Sequence, residues 1–466
     1  MSELPKKWDH EADVVIVGAG AAGLPAAIAV CSAGFKATVL ESRRVCGGSL
    51  RMAAGATAFA GTEEEREAGV EDSPDLIYKD LVEVCGADPD IARAFADTQL
   101  DAYKILKEEG VKFPGLCFAP GHSVKRGLGW LEGGLAMKLV KALEGRARKE
   151  GAEILTAHRA GRLITDQRTG RVIGLNATAG KETKNFKAKK AVIIASGGFG
   201  QNKEIIGEYA PGMVNAVPVM PPSLLGDGLK MGLAVGAATK DIGIAVAPSW
   251  PVCADTHQNA LWAINAGGIV VNVNGKRFHD ESCKESFYGP ITGAGMKQPG
   301  SVYWIIFPEK LKLDVGKSSK AHLDTLEKCK QYKANSAEEL ARSAGIDAKG
   351  LKETIDKYNR DIDTKGYDTV FGREHQYGNV GDLVKIVPPI VAVKCVTSLT
   401  SMKGGLKING RCQVINQYGE VIPGLYAAGE VAGGLHTKTY LLAIMTSAAM
   451  TQGLIAARNA IEESTI

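Results

Sequence analysis

The sequence lacks the features that mark nucleic-acid-binding, membrane-spanning or metal-cluster proteins. Its 466 residues include 56 Lys and Arg against 52 Asp and Glu, and no block of like charge concentrates the net charge of +4. Because a nucleic-acid surface needs such a block, we expect no nucleic-acid partner. The longest weakly polar run, residues 440–457, is interrupted by hydroxyl side chains and by Gln452. This pattern predicts a buried core helix rather than a membrane span.

The nine cysteines are scattered along the chain and form no CxxC or CxxCH motif. Their pattern predicts reduced thiols, with no iron–sulfur cluster, attached haem or other metal site. The first ten residues are polar and contain no apolar segment of the kind found in secretory signals. We therefore expect a cytoplasmic protein with no integral membrane segment.

Glycine, by contrast, is abundant, with 56 residues in 466, against a usual share of about 7%. One cluster, GAGAAG at residues 18–23, directly follows an apolar run at 12–17 that predicts a buried parallel strand. Residues 22–33 then predict an apolar helix that ends at Gly34, and residues 37–40 predict the next strand. This order is a βαβ unit with a glycine-rich turn between its first strand and its helix.

The turn has the spacing of a dinucleotide-binding fingerprint. Gly18 permits a tight turn, Gly20 lets the backbone approach a pyrophosphate, and Gly23 allows the helix to pack closely on the strand. Free N–H groups at the helix N-terminus favour phosphate binding. Glu41, at the end of the second strand, is placed to accept hydrogen bonds from ribose hydroxyls and argues against a 2′-phosphate. The motif alone does not distinguish NAD from FAD.

The rest of the chain predicts a nucleotide-binding domain interrupted by an insertion. Residues 62–75 are acidic and rich in turn formers, so we expect a solvated loop there. The character of the sequence changes after about residue 237, and strand–turn patterns return near residue 388. We therefore expect a first part of the nucleotide-binding domain at 1–236, a capping or substrate domain at 237–385, and the second part of the nucleotide-binding domain at 386–466.

Further motifs follow in a fixed order. They are CGGSLRMAAGATAFAGT at 46–62, SVKR at 123–126 followed by Gly133–Gly134, ASGGFGQN at 195–202, GDGLKM at 226–231, GKRFHDE at 275–281, KGGLKIN at 403–409 and GLYAAGE at 424–430. On these motifs, over about residues 12–460, the chain resembles the FAD-dependent fumarate reductase/succinate dehydrogenase flavoprotein superfamily. The resemblance implies FAD as the cofactor, and small residues are what let a backbone lie against a flavin ring.

The resemblance implies an α/β fold in which a discontinuous Rossmann-like FAD-binding domain carries an inserted α+β capping domain. It also implies cofactor contacts in two glycine-rich loops, at the turn after a middle strand and in a C-terminal half-site, where an acid at Glu430 holds a ribityl hydroxyl. The expected cofactor-binding residues are Gly18, Gly20, Ala21, Ala22, Gly23, Glu41, Ser42, Gly47, Gly48, Ser49, Ala54, Gly55, Ala195, Gly197, Asp227, Gly429 and Glu430. We expect no metal ligand.

Members of this superfamily that act on dicarboxylates clamp the substrate with His and Arg side chains. Thr400 and Ser401 stand where such a His precedes the C-terminal Gly-Gly. Glu285 stands at the place of the proton-donating Arg, and Tyr440 at the place of another Arg. Too little positive charge then remains to offset the desolvation of a dianion. The sequence therefore argues against fumarate or succinate as the substrate.

The same positions are closer to the 3-ketosteroid dehydrogenase branch, which has a Lys in the place of Lys403 and a Tyr in the place of Tyr440. A phenol can donate a hydrogen bond to a ketone oxygen without preferring an anion. The resemblance implies a second Tyr as the base. Its nearest candidate is Tyr288, displaced from the usual spacing, and Glu285 is a competing general base. The chain departs from this branch at 441–444, where LLAI replaces small residues and glycine.

We predict an FAD-dependent oxidoreductase acting on the CH–CH group of a hydrophobic, cyclic, 3-ketosteroid-like ketone or enone, with Tyr440, Tyr288 and Glu285 as catalytic residues. No second GxGxxG motif is present, so an external electron carrier or a quinone is the expected redox partner. Three alternatives stay open at this point. They are a fumarate reductase-like enzyme for an unsaturated carboxylic acid, a redox-neutral isomerase or hydratase, and a non-catalytic flavin-bearing subunit.

Overall fold

The computed structural model describes residues 4–53, 55–117, 121–129, 134–243, 250–282, 289–318, 320–376, 381–438 and 440–465. The chain divides into two compact units. Unit 1 comprises Met1–Pro211, Met220–Ala245 and Ser401–Ile466, and unit 2 comprises Gly212–Val219 and Val246–Thr400.

Strands and helices occur in both units. The strands are β1 (His10–Val17), β2 (Ala37–Glu41), β3 (Thr57–Ala58), β4 (Leu116–Cys117), β5 (Gly127–Leu128), β6 (Glu153–Thr156), β7 (His158–Thr165), β8 (Val172–Ala179), β9 (Glu182–Ile194), β10 (Val217–Pro218), β11 (Thr239–Lys240), β12 (Pro251–Cys253), β13 (Ile269–Val271), β14 (Val302–Pro308), β15 (Gln331–Ala334), β16 (Ile390–Leu399), β17 (Gly405–Leu406), β18 (Gln413–Ile415) and β19 (Val421–Ala427). The helices are α1 (Gly23–Ser32), α2 (Glu63–Glu67), α3 (Pro74–Glu83), α4 (Pro89–Glu108), α5 (Leu135–Lys149), α6 (Lys203–Tyr209), α7 (Asp227–Leu233), α8 (Trp262–Asn265), α9 (Gly289–Met296), α10 (Leu311–Ser318), α11 (Lys320–Glu327), α12 (Ala337–Ala344), α13 (Ala348–Lys365) and α14 (Ile444–Glu462).

Unit 1 is built on an eight-stranded sheet with the order β18-β19-β9-β1-β2-β6, which β8 and β7 extend from β9. The pairs β19–β9, β9–β1, β1–β2 and β2–β6 are parallel. The side chains of residues 14–17 in β1 are at most 5% exposed, as expected where helices cover both faces of a parallel sheet. The predicted βαβ unit and the α/β fold class are confirmed.

The two helices α1 and α14 pack against each other in unit 1. A Cβ atom added at Gly453 of α14 would lie 2.1 Å from the carbonyl oxygen of Ala22, so only glycine permits this approach. Most residues of α14 are buried, including Ser447, Thr451 and Gln452. The core helix predicted from the weakly polar run at 440–457 is therefore confirmed. Among the helices that the structure describes, none is long and apolar enough to cross a bilayer.

The acidic segment at 62–75 is not the solvated loop that its composition predicts. It contains α2, which begins with a capping box in which Thr62 and Glu65 exchange side-chain and backbone hydrogen bonds. Both residues are buried. Burial and a hydrogen bond with Asp72 raise the pKa of Glu65 to about 7. The prediction of a solvated loop at 62–75 was therefore wrong. Amino-acid composition does not show which acidic side chains turn inward toward a buried cation.

That cation is Arg126, which is fully buried in unit 1. Its guanidinium donates two hydrogen bonds of 2.7 Å to the carboxylate of Asp72 and another to Asp80. A further N–H lies 3.2 Å from Nδ1 of His122, whose Nε2 lies 2.7 Å from the carbonyl oxygen of Leu442. Because Arg126 can only donate, Nδ1 accepts and Nε2 carries the proton. The network therefore joins the acidic segment to the chain just before α14.

Unit 2 contains a six-stranded sheet with the order β10-β16-β14-β13, in which β12 and β15 also pair with β16. Alternate residues of β14 point to opposite faces. Tyr303, Ile305 and Phe307 belong to a core with α8 and α10. Trp304 and Ile306 belong to a second core with α12 and α13. The sheet is therefore covered on both faces, which explains why β14 and β16 read as continuous apolar runs.

A second buried ion-pair network lies in unit 2. Arg277 donates to the Glu281 carboxylate at 2.6 Å and 3.0 Å and pairs with Asp368 at 2.6 Å. Its guanidinium also lies over the rings of Tyr358 and Phe371. Each nitrogen of the guanidinium therefore faces a carboxylate, as a buried charge requires.

We expect Arg373→Met to destabilise the protein by about 3 kcal/mol or more, because breaking a buried ion pair leaves uncompensated polar groups. Arg373 is fully buried, lies 3.2 Å from Glu281 and donates to the carbonyl oxygens of Gly268 and Gln376. The matched control is Lys276→Met, which removes a half-exposed pair with Glu353 and should cost under about 1 kcal/mol. Urea unfolding monitored by circular dichroism measures both changes. Equal destabilisation by the two substitutions would contradict a role for Arg373 in a buried ion-pair network.

Candidate active site

The predicted cofactor residues follow the carboxyl ends of four neighbouring strands in unit 1. Backbone hydrogen bonds continue the parallel pairing past these ends, from Gly18 to Leu40, from Ala195 to Val17 and from Ala428 to Ile194, at 2.8 Å, 2.8 Å and 2.9 Å. Loops at this edge of a parallel sheet form the usual ligand crevice of open α/β folds. The structure thus brings together the turns after β1, β2, β9 and β19.

The three glycines of the first turn meet different surroundings. Gly18 has φ +105°, and a Cβ atom there would lie 2.4 Å from the carbonyl oxygen of Ala195. At Gly23 a Cβ atom would lie 1.8 Å from the carbonyl oxygen of Gly18. At Gly20 no protein atom lies within 4 Å of the added Cβ atom. Gly18 and Gly23 are therefore required by the fold, whereas Gly20 leaves open space for a ligand.

Glu41 closes this turn from the end of β2. Its carboxylate accepts hydrogen bonds from the backbone N–H of Ala19 at 3.0 Å and of Arg43 at 2.8 Å, and from the Ser42 hydroxyl at 3.3 Å. The side chain is buried. These bonds fix the carboxylate beside the glycine turn, with Ala21 and Ala22 leading into α1.

The second glycine-rich loop lies against the first. A Cβ atom at Gly48 would lie 3.6 Å from Cα of Gly20, and Gly47 adopts φ +113°. Ser49 follows in a short 3-10 turn. Gly55 packs on the first turn of α5, because a Cβ atom there would lie 2.4 Å from the nitrogen of Ala136. The neighbouring predicted residue, Ala54, lies outside the described residues.

The turn after β9 meets the C-terminal half-site. A Cβ atom at Gly198 would lie 2.7 Å from Oε1 of Glu430, and Gly197 adopts φ +75°. The predicted residue Asp227 is engaged elsewhere, because its carboxylate forms a two-point ion pair with Arg159 at 2.7 Å and 2.8 Å. The structure therefore brings Gly197 and Glu430 together but directs the Asp227 side chain to β7.

Glu430 is held by backbone donors, and none of the ion pairs within the described residues involves it. The N–H of Met402 donates to its carboxyl group at 3.2 Å, and burial raises its pKa to about 7. The adjacent Gly429 donates its N–H to the Gln452 side chain at 2.8 Å. Gln452 lines the same cleft and was not among the predicted site residues. Its signal in the sequence is a polar amide inside the apolar run that forms α14.

These groups line a cleft in unit 1. One wall is formed by small residues and the start of α14. The lining residues are Met402, Lys403, Gly404, Gly429, Glu430, Ala432, Gly433, Gly434, Leu435, His436, Met445, Ala448, Ala449 and Gln452. Lys403 is 5% exposed, and burial lowers its pKa.

His436 shares this cleft and contacts a cysteine behind it. Its Nδ1 lies 3.7 Å from the sulfur of Cys85. Burial, followed by the positive charge of Lys403, lowers the pKa of His436 to about 3, so the ring is neutral. Burial raises the pKa of the Cys85 thiol to about 12. The sequence does not identify Cys85 as a residue of the site, because its partner His436 lies 351 residues away in the chain.

Tyr440 is the one predicted catalytic residue that the structure describes. Its ring centroid lies 5.5 Å from that of His436. The backbone N–H of Ala443 hydrogen-bonds its hydroxyl oxygen, and burial raises the pKa of the hydroxyl, which is therefore a neutral phenol. Glu285 and Tyr288, the alternative bases, lie outside the described residues.

The chain around Tyr440 is fixed from two sides. Ala443 adopts φ +69°, a left-handed conformation that is uncommon for a residue with a side chain. The neighbouring carbonyl of Leu442 accepts the hydrogen bond from His122. Burial and the charge of Arg126 lower the pKa of His122 to about 4, so this bond persists at neutral pH. The sequence alone had not singled out His122 as a residue of the site.

The fold and the glycine-lined edge define a protein of the dinucleotide-binding class. A family model described as "FAD binding domain" matches residues 13–443, so the chain belongs to that family. Its relatives include "Fumarate reductase (cytochrome)" of Shewanella frigidimarina, 28% identical over 97% of this chain and 77% of that protein. Another is "Urocanate reductase" of Eggerthella lenta, 31% identical over 92% of this chain and 71% of that protein.

Solved structures give the same superfamily. The open conformation of a flavocytochrome c3 fumarate reductase matches with a TM-score of 0.82 and 27% identity, covering 98% of this chain and 79% of that one. The 3-ketosteroid-Δ4-(5α)-dehydrogenase of Rhodococcus jostii RHA1 matches with a TM-score of 0.79 and 24% identity, covering 98% of both chains. The latter likeness shows the fold alone. The predicted resemblance to the superfamily is confirmed.

The residues present fit FAD. Gly20 leaves open space beside the buried Glu41. The cleft at Glu430 contains the Nε2 atom of His436, which has no hydrogen-bond partner among the described residues. The cofactor is FAD, and the chain is an FAD-dependent oxidoreductase acting on CH–CH groups. The assignment of individual side chains to the cofactor stays a prediction.

We expect Gly20→Ala to weaken FAD binding at least tenfold while changing the stability of the apoprotein by only about 0.5 kcal/mol, because the new methyl group meets no protein atom. Gly23→Ala should instead destabilise the apoprotein by about 1–3 kcal/mol, because its methyl group collides with the backbone of Gly18. Flavin fluorescence quenching measures affinity, and urea unfolding measures stability. A Gly20→Ala protein that binds FAD as tightly as the wild type would show that the pyrophosphate lies elsewhere.

Proposed function

We propose that the chain transfers hydride to or from a carbon–carbon bond conjugated to the ketone of a hydrophobic, cyclic, 3-ketosteroid-like substrate. FAD, when bound, exchanges the hydride with the substrate. The protein must then polarise the ketone oxygen and move one proton at the other carbon. The observation that carries the proposal is the neutral, partly buried Tyr440 phenol in the place where a dicarboxylate enzyme has an Arg.

Tyr440 suits a ketone because its donor is uncharged and oriented. The hydroxyl oxygen already accepts a hydrogen bond from Ala443, so the hydroxyl proton is left for the substrate oxygen. That proton stabilises the enolate-like charge that develops on the oxygen in the transition state. The hydrogen bond from Ala443 adds to this effect, because it stabilises negative charge on the phenol oxygen.

Proton movement at the carbon is assigned to Tyr288 or Glu285. Both are carried over from the sequence, and the proposal leaves the choice between them to mutagenesis. The redox partner is an external carrier or a quinone, since no second dinucleotide motif is present. A cytoplasmic location is part of the same proposal and rests on the scattered cysteines. Seven cysteines form no disulfide in the described part of the chain: Cys31, Cys46, Cys85, Cys253, Cys329, Cys395 and Cys412.

A second candidate is the reduction of an unsaturated monocarboxylic acid. Two observations favour it: the buried ammonium of Lys403 in the cleft, and relatives whose names are fumarate reductase and urocanate reductase. One ammonium and one neutral imidazole could balance a single carboxylate. They would not offset the desolvation of a dianion such as fumarate.

Anaerobic titration of the reduced holoenzyme distinguishes these candidates. The protein is photoreduced and then mixed with cyclic enones, 3-ketosteroids, acrylate, urocanate and fumarate, with the flavin absorbance as readout. We expect reoxidation by a cyclic ketone and none by fumarate. Reoxidation by the monocarboxylates alone would establish the second candidate. Turnover of an enone without any change in flavin oxidation state would point instead to an isomerase or a hydratase.

Tyr440→Phe should lower kcat for a ketone substrate by about 10²–10³-fold, the usual cost of losing one donor to a developing oxyanion. The affinity for FAD should change little. Tyr418→Phe is the matched control, because Tyr418 is 90% exposed and should leave kcat unchanged. Steady-state kinetics with an artificial electron carrier measures both variants. A Tyr440→Phe enzyme with full kcat would remove the phenol from the mechanism.

A further inference from the structure

Lys403 is a buried cation without an ion-pair partner among the described residues. It is 5% exposed and lines the cleft together with Glu430 and Gln452. The carboxylate that most affects its pKa is that of Asp241. That carboxylate is already engaged, since its Oδ2 accepts hydrogen bonds from the N–H of Gly434 at 3.0 Å and from the Thr437 hydroxyl at 2.9 Å. A buried ammonium in this state requires an anionic or strongly accepting partner from outside the chain.

A second donor without an acceptor lies beside it. Because the Cys85 thiol is protonated, its S–H can donate to Nδ1 of His436, and the neutral ring then carries its own proton on Nε2. Nε2 is buried and has no partner within the described part of the chain. Lys403 and His436 therefore present an ammonium and an N–H donor at the same cleft, and nothing described accepts from either.

The cofactor can supply the missing acceptor. FAD belongs to this site by family, and the cleft that contains Lys403 also contains Gly429 and Glu430 of the C-terminal half-site. A hydride brings two electrons and one proton, so the C–H bond of the substrate breaks, an N–H bond of the ring forms, and the ring gains one negative charge. A neutral ketone gains no full charge in its stable states. The flavin ring is therefore the group that becomes negatively charged. An unpaired ammonium beside it favours that charged, reduced form.

We propose that Lys403 is the counter-cation of the reduced flavin: its ammonium, with the Nε2–H donor of His436 beside it, binds the isoalloxazine ring more strongly when the ring is reduced and anionic than when it is oxidised and neutral. Cys85 is a positioning residue that acts through His436 by setting its tautomer. The inference depends on the FAD cofactor and not on the ketone substrate, so it and the proposed function can fail separately.

The expected effect is a change in redox equilibrium. Removing the ammonium should lower the equilibrium constant for flavin reduction at least tenfold, which is about 30 mV for a two-electron couple. Affinity for oxidised FAD should change less than threefold, because the oxidised ring carries no charge for the ammonium to balance.

The test is the midpoint potential of bound FAD, measured by equilibration with redox dyes in the full-length holoenzyme. Lys403→Met should lower the midpoint potential by at least about 30 mV. Lys403→Arg should keep the potential close to that of the wild type, because the positive charge remains. Lys403→Gln is measured as well, in case the apolar replacement does not fold. Lys438→Met is the matched control. Lys438 is exposed and only two residues from His436, so its loss should leave the potential unchanged.

Substitutions of Cys85 test the role of His436 independently of Lys403. Cys85→Ser keeps a donor to Nδ1 and should keep the potential, whereas Cys85→Ala should lower it in the same direction as Lys403→Met. An unchanged potential in both Lys403→Met and Lys403→Gln would overturn the proposal. If the KM for acrylate or urocanate then rises in these variants, the ammonium serves a substrate carboxylate. Reoxidation of the reduced enzyme by a ketone is tested separately and does not depend on this result.

Discussion

Four parallel strands of unit 1 end side by side, and the backbone hydrogen bonds that continue past their ends hold the cofactor loops in position. Gly18 bonds to Leu40, Ala195 to Val17 and Ala428 to Ile194. Segments that are far apart in sequence therefore share one edge. Because backbone groups make these bonds, the side chains at the edge can be small, and the glycines there leave the open space that a large flat cofactor needs.

Burial of the side chains at this edge determines their charge states. Tyr440 and His436 are neutral because burial disfavours their charged forms, and Glu430 has a raised pKa for the same reason. Lys403 is then the one cationic side chain in the lining of the described cleft. In the function that we propose, this cation balances a cofactor that becomes anionic, and the substrate is an uncharged ketone. On the same proposal, the two charges of a dicarboxylate would be desolvated with too little compensation from the described lining.

Local sequence pattern predicted those parts of the molecule whose cause is local. The strand at 12–17, the helix at 22–33 and the buried helix within 440–457 are confirmed, because hydrophobic periodicity and glycine turns reflect burial directly. The acidic segment at 62–75 was misjudged. Its inward-facing Asp72 accepts hydrogen bonds from Arg126. The composition of the segment does not indicate this partner, because Arg126 lies 54 residues further along the chain.

Residue types at fixed spacing were enough to predict the glycine fingerprint, the family and the FAD cofactor. Which polar groups meet depends on the tertiary contacts. It paired Asp227 with Arg159, placed Gln452 on the N–H of Gly429, and set Cys85 behind His436. It also left the buried Lys403 without a described partner. The paired residues are 23, 68 and 351 positions apart in the sequence. Only the folded chain brings them within contact distance, so local sequence patterns do not predict which polar groups meet in the buried site.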